Sequence, residues 1–438
     1  MKGDFTRNTF DPARQFTRVL MQQGRVQLDA DWNEQGAILL HYLQALAADL
    51  IGPHAGPQAN VGFQMTPVER SGTIVDLQIG NGRYYVDGRL CENPARYDEE
   101  GNVIPVTYYG QANYPLNEDD NPLPDLPFLV YLDVWERLIT AVQDDTIREV
   151  ALGGADTAVR AQLVWQVKVS GEMPDGPTND EDWRNFTQRW QAANRGLLKA
   201  RAGQGGGQPD DACITPPDAR YRGAENQLYR VEVHHGGLDA NGRPQRPSCK
   251  WSRDNGSVVF PIRSLSGKVA TVEGLGRDGR SGLQPGDWVE VLDDGLALRD
   301  QPGPLLTVQA VDHLTMAVTL SEAPGITYDG ESSTHPLLRR WDGYMAEIPE
   351  ERWLRLEDGI EIQFQPGPNE TPHSYRSGDY WLVPARTATG DVEWPGPVDD
   401  PDSLPPHGVT HHYAPLATVS VTGDVTDLRR QFKALWQL

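Results

Sequence analysis

The sequence predicts a mainly β protein: an N-terminal arm and helix, then antiparallel β-sandwich or barrel domains, with a small SH3-like barrel inserted. Three observations carry that expectation. Glycine (44) and proline (34) are abundant and spread along all 438 residues, which suits many short strands joined by turns. From about residue 57 onward apolar residues recur at every second position. Strong helical spacing is confined to stretches near 31–51 and 181–200, with a short closing helix expected at the C-terminus.

The chain is too long for one core, so several domains are expected. The pattern changes place an arm and amphipathic helix at 1–56 and a small β domain with an acidic loop at 57–127. The main β domain takes 128–262 and 323–438, and the inserted barrel takes 263–322.

Residues 1–28 form an irregular arm alternating aromatic and basic positions: Phe5, Arg7, Phe10, Arg14, Phe16 and Arg18. Such an arm docks either on its own domain or on a partner. Asp29 or Asp31 is the natural N-cap of the following helix, with Glu34 three residues after Asp31. Trp32, Leu39, Tyr42, Leu43, Leu46 and Leu50 recur at helical spacing, and Gly52-Pro53 ends the helix.

Val75, Leu77 and Ile79 then alternate with Asp76 and Gln78. Asn81-Gly82 and Asp87-Gly88 read as tight hairpin turns. Residues 97–127, acidic and proline-rich, read as a long loop. FLVYLDVWER (128–137) is apolar on both faces and reads as a central strand. In 163–169, Leu163, Trp165, Val167 and Val169 face one way. Trp183, Phe186, Trp190 and Leu197 share a helical stripe that Asn179 or Asp180 would cap, and 203–211 reads as a flexible linker. Strands resume at 228–234 and 250–262, the latter holding a turn at Asp254–Gly256. After the barrel, further strands follow around 360–364, 379–385 and 412–421, and 425–436 reads as the closing helix.

Acids outnumber bases 62 to 39, a formal charge of −23. That surface repels nucleic-acid phosphates and anionic membranes, so neither nucleic acid nor membrane insertion is expected. No run is long enough to span a bilayer, and MKGDFTRNTF lacks the apolar region of a signal peptide, so synthesis in a bacterial cytoplasm is expected. Cys91, Cys213 and Cys249 are far apart and odd in number, which fits neither a disulfide framework nor a zinc site.

No catalytic residue, metal site or cofactor is expected. His407, His411 and His412 cluster among prolines that forbid a helix holding them on one face, and His234-His235 form a second pair. NEDDN (117–121) resembles the start of a calcium loop, but Pro122 stands where the sharp-turn glycine belongs. Asp133 and Glu136 flank Trp135, yet strand alternation points them to opposite faces. No Gly-x-Ser-x-Gly elbow is present, and no cysteine has a nearby histidine. Arg25, Arg148, Arg160, Arg222, Arg253, Arg339, Arg340 and Arg386 lie beside acids or tryptophans and are expected to brace loops through carboxylate pairs. Trp381 and Trp394, near a loop, are candidate glycan-stacking residues. In QGRVQLDADWNEQ (23–35), Gln23, Gly24, Arg25, Trp32 and Asn33 are the candidate interface residues.

Several blocks go beyond composition: FTRVLMQQGRVQLDADWNEQ (16–35), FLVYLDVWER (128–137), REVALGGADTAVRAQLVWQVKV (148–169), YRGAENQLYRVEVH (221–234), KWSRDNGSVVFPI (250–262), GDYWLVPARTATGDVEWP (378–395) and HHYAPLA (411–417). Together they resemble an uncharacterised bacterial family, a domain of unknown function found with extracellular contractile injection systems, the phage-tail-like particles. The resemblance implies a structural or appendage role near a baseplate or in a tail fibre. It implies other particle subunits as partners, a homo-oligomer (a trimer, by analogy with tail appendages), and release outside the cell on an assembled particle. It supplies no catalytic residues. The function expected is therefore a non-enzymatic structural subunit. The alternative is a glycan-binding receptor module, with or without polysaccharide hydrolase activity.

Overall fold

The computed structural model describes every residue except 1, 120, 175–178, 192–193, 204–219, 239–241, 277, 331–333, 368–371 and 435–438. The linker read at 203–211 thus falls almost wholly outside the described residues. The protein is mainly β, with several antiparallel sheets and an N-terminal helix. It divides into two compact units. One comprises Phe5–Arg137, Gln162–Gln191 and Thr410–Leu438; the other comprises Met1–Asp4, Leu138–Ala161 and Ala192–Val409.

The first unit holds helix α1 (Asp29–Ile51) and helix α2 (Asp180–Gln188). One four-stranded sheet runs Arg160–Ser170, Phe128–Ile139, His412–Val419, Val425–Asp427. The inner strand Phe128–Ile139 is buried on both faces over its first half, as its unbroken apolar run requires. A second sheet runs Gln431–Phe432, His54–Pro57, Gly82–Val86, Arg89–Asn93; its first pair is parallel and the rest antiparallel. Phe63, Leu77, Ile79, Tyr84, Val130, Leu132, Val167 and Leu416 build the core. The Asp87-Gly88 turn closes the Gly82–Val86 and Arg89–Asn93 hairpin with both φ values positive, as that dipeptide favours.

The second unit holds a five-stranded sheet, a three-stranded sheet and a closed barrel. The barrel has six strands: Val259–Ser266, Val269–Val272, Trp288–Leu292, Leu305–Asp312, Ala317–Leu320 and Leu337–Trp341. Closure removes the unpaired edges a short sheet would expose. Its core is largely aliphatic, with Val272, Val289, Val291, Val308, Val318 and Leu338 packed beside Phe260 and Tyr328. Helix α3 (Asp294–Leu298) is a single capped turn.

Four local expectations change. Asn81-Gly82 closes no hairpin, because Thr73–Ile79 and Gly82–Val86 lie in different sheets. The helix expected near 181–200 ends at Gln188, and Leu198–Ala202 is a strand. Gly196 takes φ +110°, and Leu198, Ala200 and Ala202 alternate inward. The closing helix expected at 425–436 is instead the short strands Val425–Asp427 and Gln431–Phe432, residues 435–438 lying outside the described set. β-branched Val425 and Thr426 pair with Val419 and Thr418. The loop at 97–127 also carries short strands, Val103–Ile104 and Val106–Thr107.

Candidate interaction surface

Helix α1 starts on Leu28, one residue before the expected cap. The two aspartates fall in its first turn instead. Asp31 reaches back to accept from the Leu28 amide (3.4 Å), half of a capping box. Thr6 donates to Asp29 and holds its carboxyl below the usual range, beyond the small opposing effect of burial. Glu34, expected to complete the box, accepts instead from Thr9 Oγ1 (2.5 Å).

Those contacts show where the arm goes. Gln35 Oε1 accepts from the Val19 amide (2.8 Å), and Phe10 rests against the His41 ring with centroids 5.4 Å apart. The arm therefore docks on the helix of its own unit. The Asp87-Gly88 turn approaches the same helix so closely that a Cβ on Gly88 would lie 2.1 Å from the Gln44 carbonyl oxygen. Between these supports, only Ala30 and Ile38 of α1 are buried.

The rest of the helix faces outward. Trp32, Leu39, Leu40, Tyr42, Leu43, Leu46 and Leu50 are each between 44 and 76 % exposed. Phe16, Leu20, Met21, Val26 and Leu28 of the arm are exposed as well. A contiguous apolar surface of this size is unusual on a protein that stands alone. Of the candidate interface residues, Gln23, Gly24, Arg25, Trp32 and Asn33 are all exposed. Gln23 and Gly24 form the tip of a tight turn in which the Arg25 amide donates to the Gln22 carbonyl (3.3 Å), and Gly24 takes φ +70° there. The leucines and Tyr42 were readable as a stripe, but an apolar stripe ordinarily means core. Their mixed three- and four-residue spacing keeps them on one broad face of the helix, and that face is exposed.

The two glycan candidates part company. Trp381 is 1 % exposed, its indole donating to the Leu404 carbonyl (2.9 Å) and its ring packed edge-on to Phe364. It is core and takes no part in a surface site, because its strand is an inner member of the five-stranded sheet. Trp394 is half-buried, with its indole on the Asp402 carbonyl.

The densest chemistry is a buried charge network in the second unit. Lys250 Nζ donates to Glu290 Oε2 (2.5 Å) and lies 3.4 Å from Glu232 Oε1; Lys2 reaches that same oxygen at 3.2 Å. Arg230 donates to Glu232 Oε2 (2.8 Å) and to the Gly3 carbonyl (2.9 Å), with its guanidinium over the Tyr380 ring. Trp341 Nε1 and the Gly303 amide complete the shell of Glu290. Burial alone would raise the Glu290 carboxyl; Lys250, His234 and Lys2 outweigh it and bring it to about 2. Burial, reinforced by Lys250, drops the His234 ring to about 3. Glu232 and Glu290 are both matched by cations, and the network braces the N-terminus against the sheet.

In the first unit, Asp133 Oδ2 accepts from Lys168 (2.6 Å) and Oδ1 meets His411 Nδ1 (2.8 Å). Both oxygens are occupied; burial would raise the carboxyl, but the Lys168 charge and the hydrogen bonds from His411 and Lys168 outweigh it and hold it below its usual range. His412 pairs instead with Asp87 (2.7 Å), and His407 bonds through its backbone to Tyr380. The clustered histidines thus point to different partners. Among the described residues, no three of His, Cys, Asp and Glu gather where a metal could be held. Cys91 and Cys249 are buried, their thiols pushed up to about 12 by burial. Arg386 grips Glu393 through both arms of its fork, and Arg253 bridges Asp342 and Glu357. No helix among the described residues is long and apolar enough to cross a membrane.

The model of a family of unknown function, DUF6519, matches residues 1–200 and 187–436. No curated protein and no solved structure matches.

Proposed function

The chain belongs to the family of unknown function DUF6519, and from that premise we propose that it is a non-enzymatic structural subunit of a larger assembly. Its arm and α1 form the joining element. The observation that carries this reading is the outward apolar face of α1. Burying that face against protein would release it from water at about 25 cal/mol per Å², and the arm already occupies the opposite side. The assembly proposed is a phage-tail-like contractile injection particle, near its baseplate or in a fibre. The sequence blocks that resemble the family found with such systems support that choice.

The test is made on particles purified from a producing strain. The full chain is expected to co-purify with sheath and baseplate, and a chain lacking residues 1–56 is expected to be left behind. Absence of the full chain from intact particles, with assembly and target binding normal in its deletion strain, would refute the proposal.

A further inference from the structure

The outward residues of α1 are ordered as a coiled-coil seam. Trp32, Gly36, Leu39, Leu43, Leu46 and Leu50 follow each other at alternating steps of four and three. At about 100° per residue they fall within a stripe roughly 80° wide. All six are exposed. Ala30, Ile38 and the arm-bound Glu34 and His41 lie on the opposite side. The seam is therefore a face left exposed among the described residues. A Cβ on Gly36 would meet no atom within 4 Å, so another backbone has room to approach closely there.

We infer that this seam is covered by α1 of further copies of the chain, packed as a parallel bundle. The inference rests on the proposed assembly role and names the first partner in it. Three observations select a like copy. A heptad seam is self-complementary, because each copy offers the same knobs and holes. The flanking positions are Asn33, Gln35, Leu40, Tyr42, Ala47 and Asp49, a single charge per copy, so copies of a chain with net charge −23 meet through a face that carries little of that charge. The seven large exposed side chains of α1 present on the order of 800 Å² per copy, the amount each partner buries in a standard interface. Leu40 and Tyr42, on either flank, widen the stripe beyond a two-helix seam and favour three copies. A membrane surface fits poorly, since 29–51 carries four acids and no Lys or Arg.

The experiment uses the full chain in sedimentation equilibrium. Wild type is expected at three times the monomer mass, and the exposed-position variant Leu43→Lys/Leu46→Lys at the monomer mass with an unchanged circular dichroism spectrum. In a Cys213→Ser background, Leu43→Cys is expected to form interchain disulfides on mild oxidation, whereas Ala45→Cys, exposed on the other side of the helix, is not. A wild type that stays monomeric at about 100 µM overturns the inference, as does an oligomer indifferent to both substitutions. A monomer that still enters particles overturns this inference alone and leaves the assembly role standing.

Discussion

Replacing Glu290 by Gln tests the buried charge network most directly. The substitution keeps the shape of the side chain and removes its charge. Glu290 and Lys250 are each no more than 2 % exposed, so solvent screens little of their attraction. The carboxyl falls from its ordinary 4.5 to about 2 in the folded protein, which corresponds to about 3 kcal/mol of stability at neutral pH. Removing one partner of a buried pair costs about 3–5 kcal/mol when the other charge is stranded. Lys250 keeps Glu232 at 3.4 Å, which sets the expectation at the lower end, about 3 kcal/mol. For a unit of this size that is roughly 6–12 °C in Tm. The sign of the pH effect follows from the lowered value. The contribution is complete above pH 4.5 and is lost as pH falls towards 2. Wild type should therefore lose stability through that window, and Glu290→Gln should converge on it from below. The double variant Lys250→Met/Glu290→Gln removes the stranded ammonium and should be more stable than Glu290→Gln alone. Urea unfolding followed by circular dichroism, at pH 7 and between pH 2 and 5, measures all three. A Glu290→Gln midpoint within about 1 kcal/mol of wild type at pH 7 would refute the reasoning, since no stranded buried charge costs so little.

Trp381→Ala is expected to cost about 3–5 kcal/mol in the same assay, because it empties a core site and removes one of the two hydrogen bonds to the Leu404 carbonyl; a change near zero would put the ring at the surface. Gly24→Ala and Gly88→Ala both force a side chain into positive φ, at about 1–2 kcal/mol. Only Gly88 also meets backbone, so its variant should melt well below that of Gly24, and equal melting temperatures would count against the hairpin–helix contact. Burial lowers the His54 ring from 6.5 to about 4, so stability should fall by about 3 kcal/mol as pH drops through that window. Its ring proton resonance should show no midpoint near 6.5; an ordinary titration there would contradict the burial.

The local grammar of the chain was legible without its fold. Asp87-Gly88 declared a hairpin, and the apolar run at 128–137 declared an inner strand. Asn179 capped α2, and Gly52 ended α1. Each follows from backbone preferences that act within a few residues. The misreadings came where local preference met tertiary pairing. Residues 198–200 read as the end of a helix, yet strand 360–364 offered them a ladder. Residues 425–427 had helix formers behind them, yet paired with 417–419.

The sequence by itself determined that residues 29–51 form a helix with an apolar stripe, because periodicity depends only on the helix repeat. Which side of that helix meets protein was decided in three dimensions, where the arm and the Asp87-Gly88 turn took the back and left the leucine seam outside. Likewise Lys2, Glu232, Lys250 and Glu290 are ordinary charges along the chain. Only the approach of four distant segments removes water from them and makes them a network. A stripe or a charge is a local property; burial depends on what the rest of the chain brings against it.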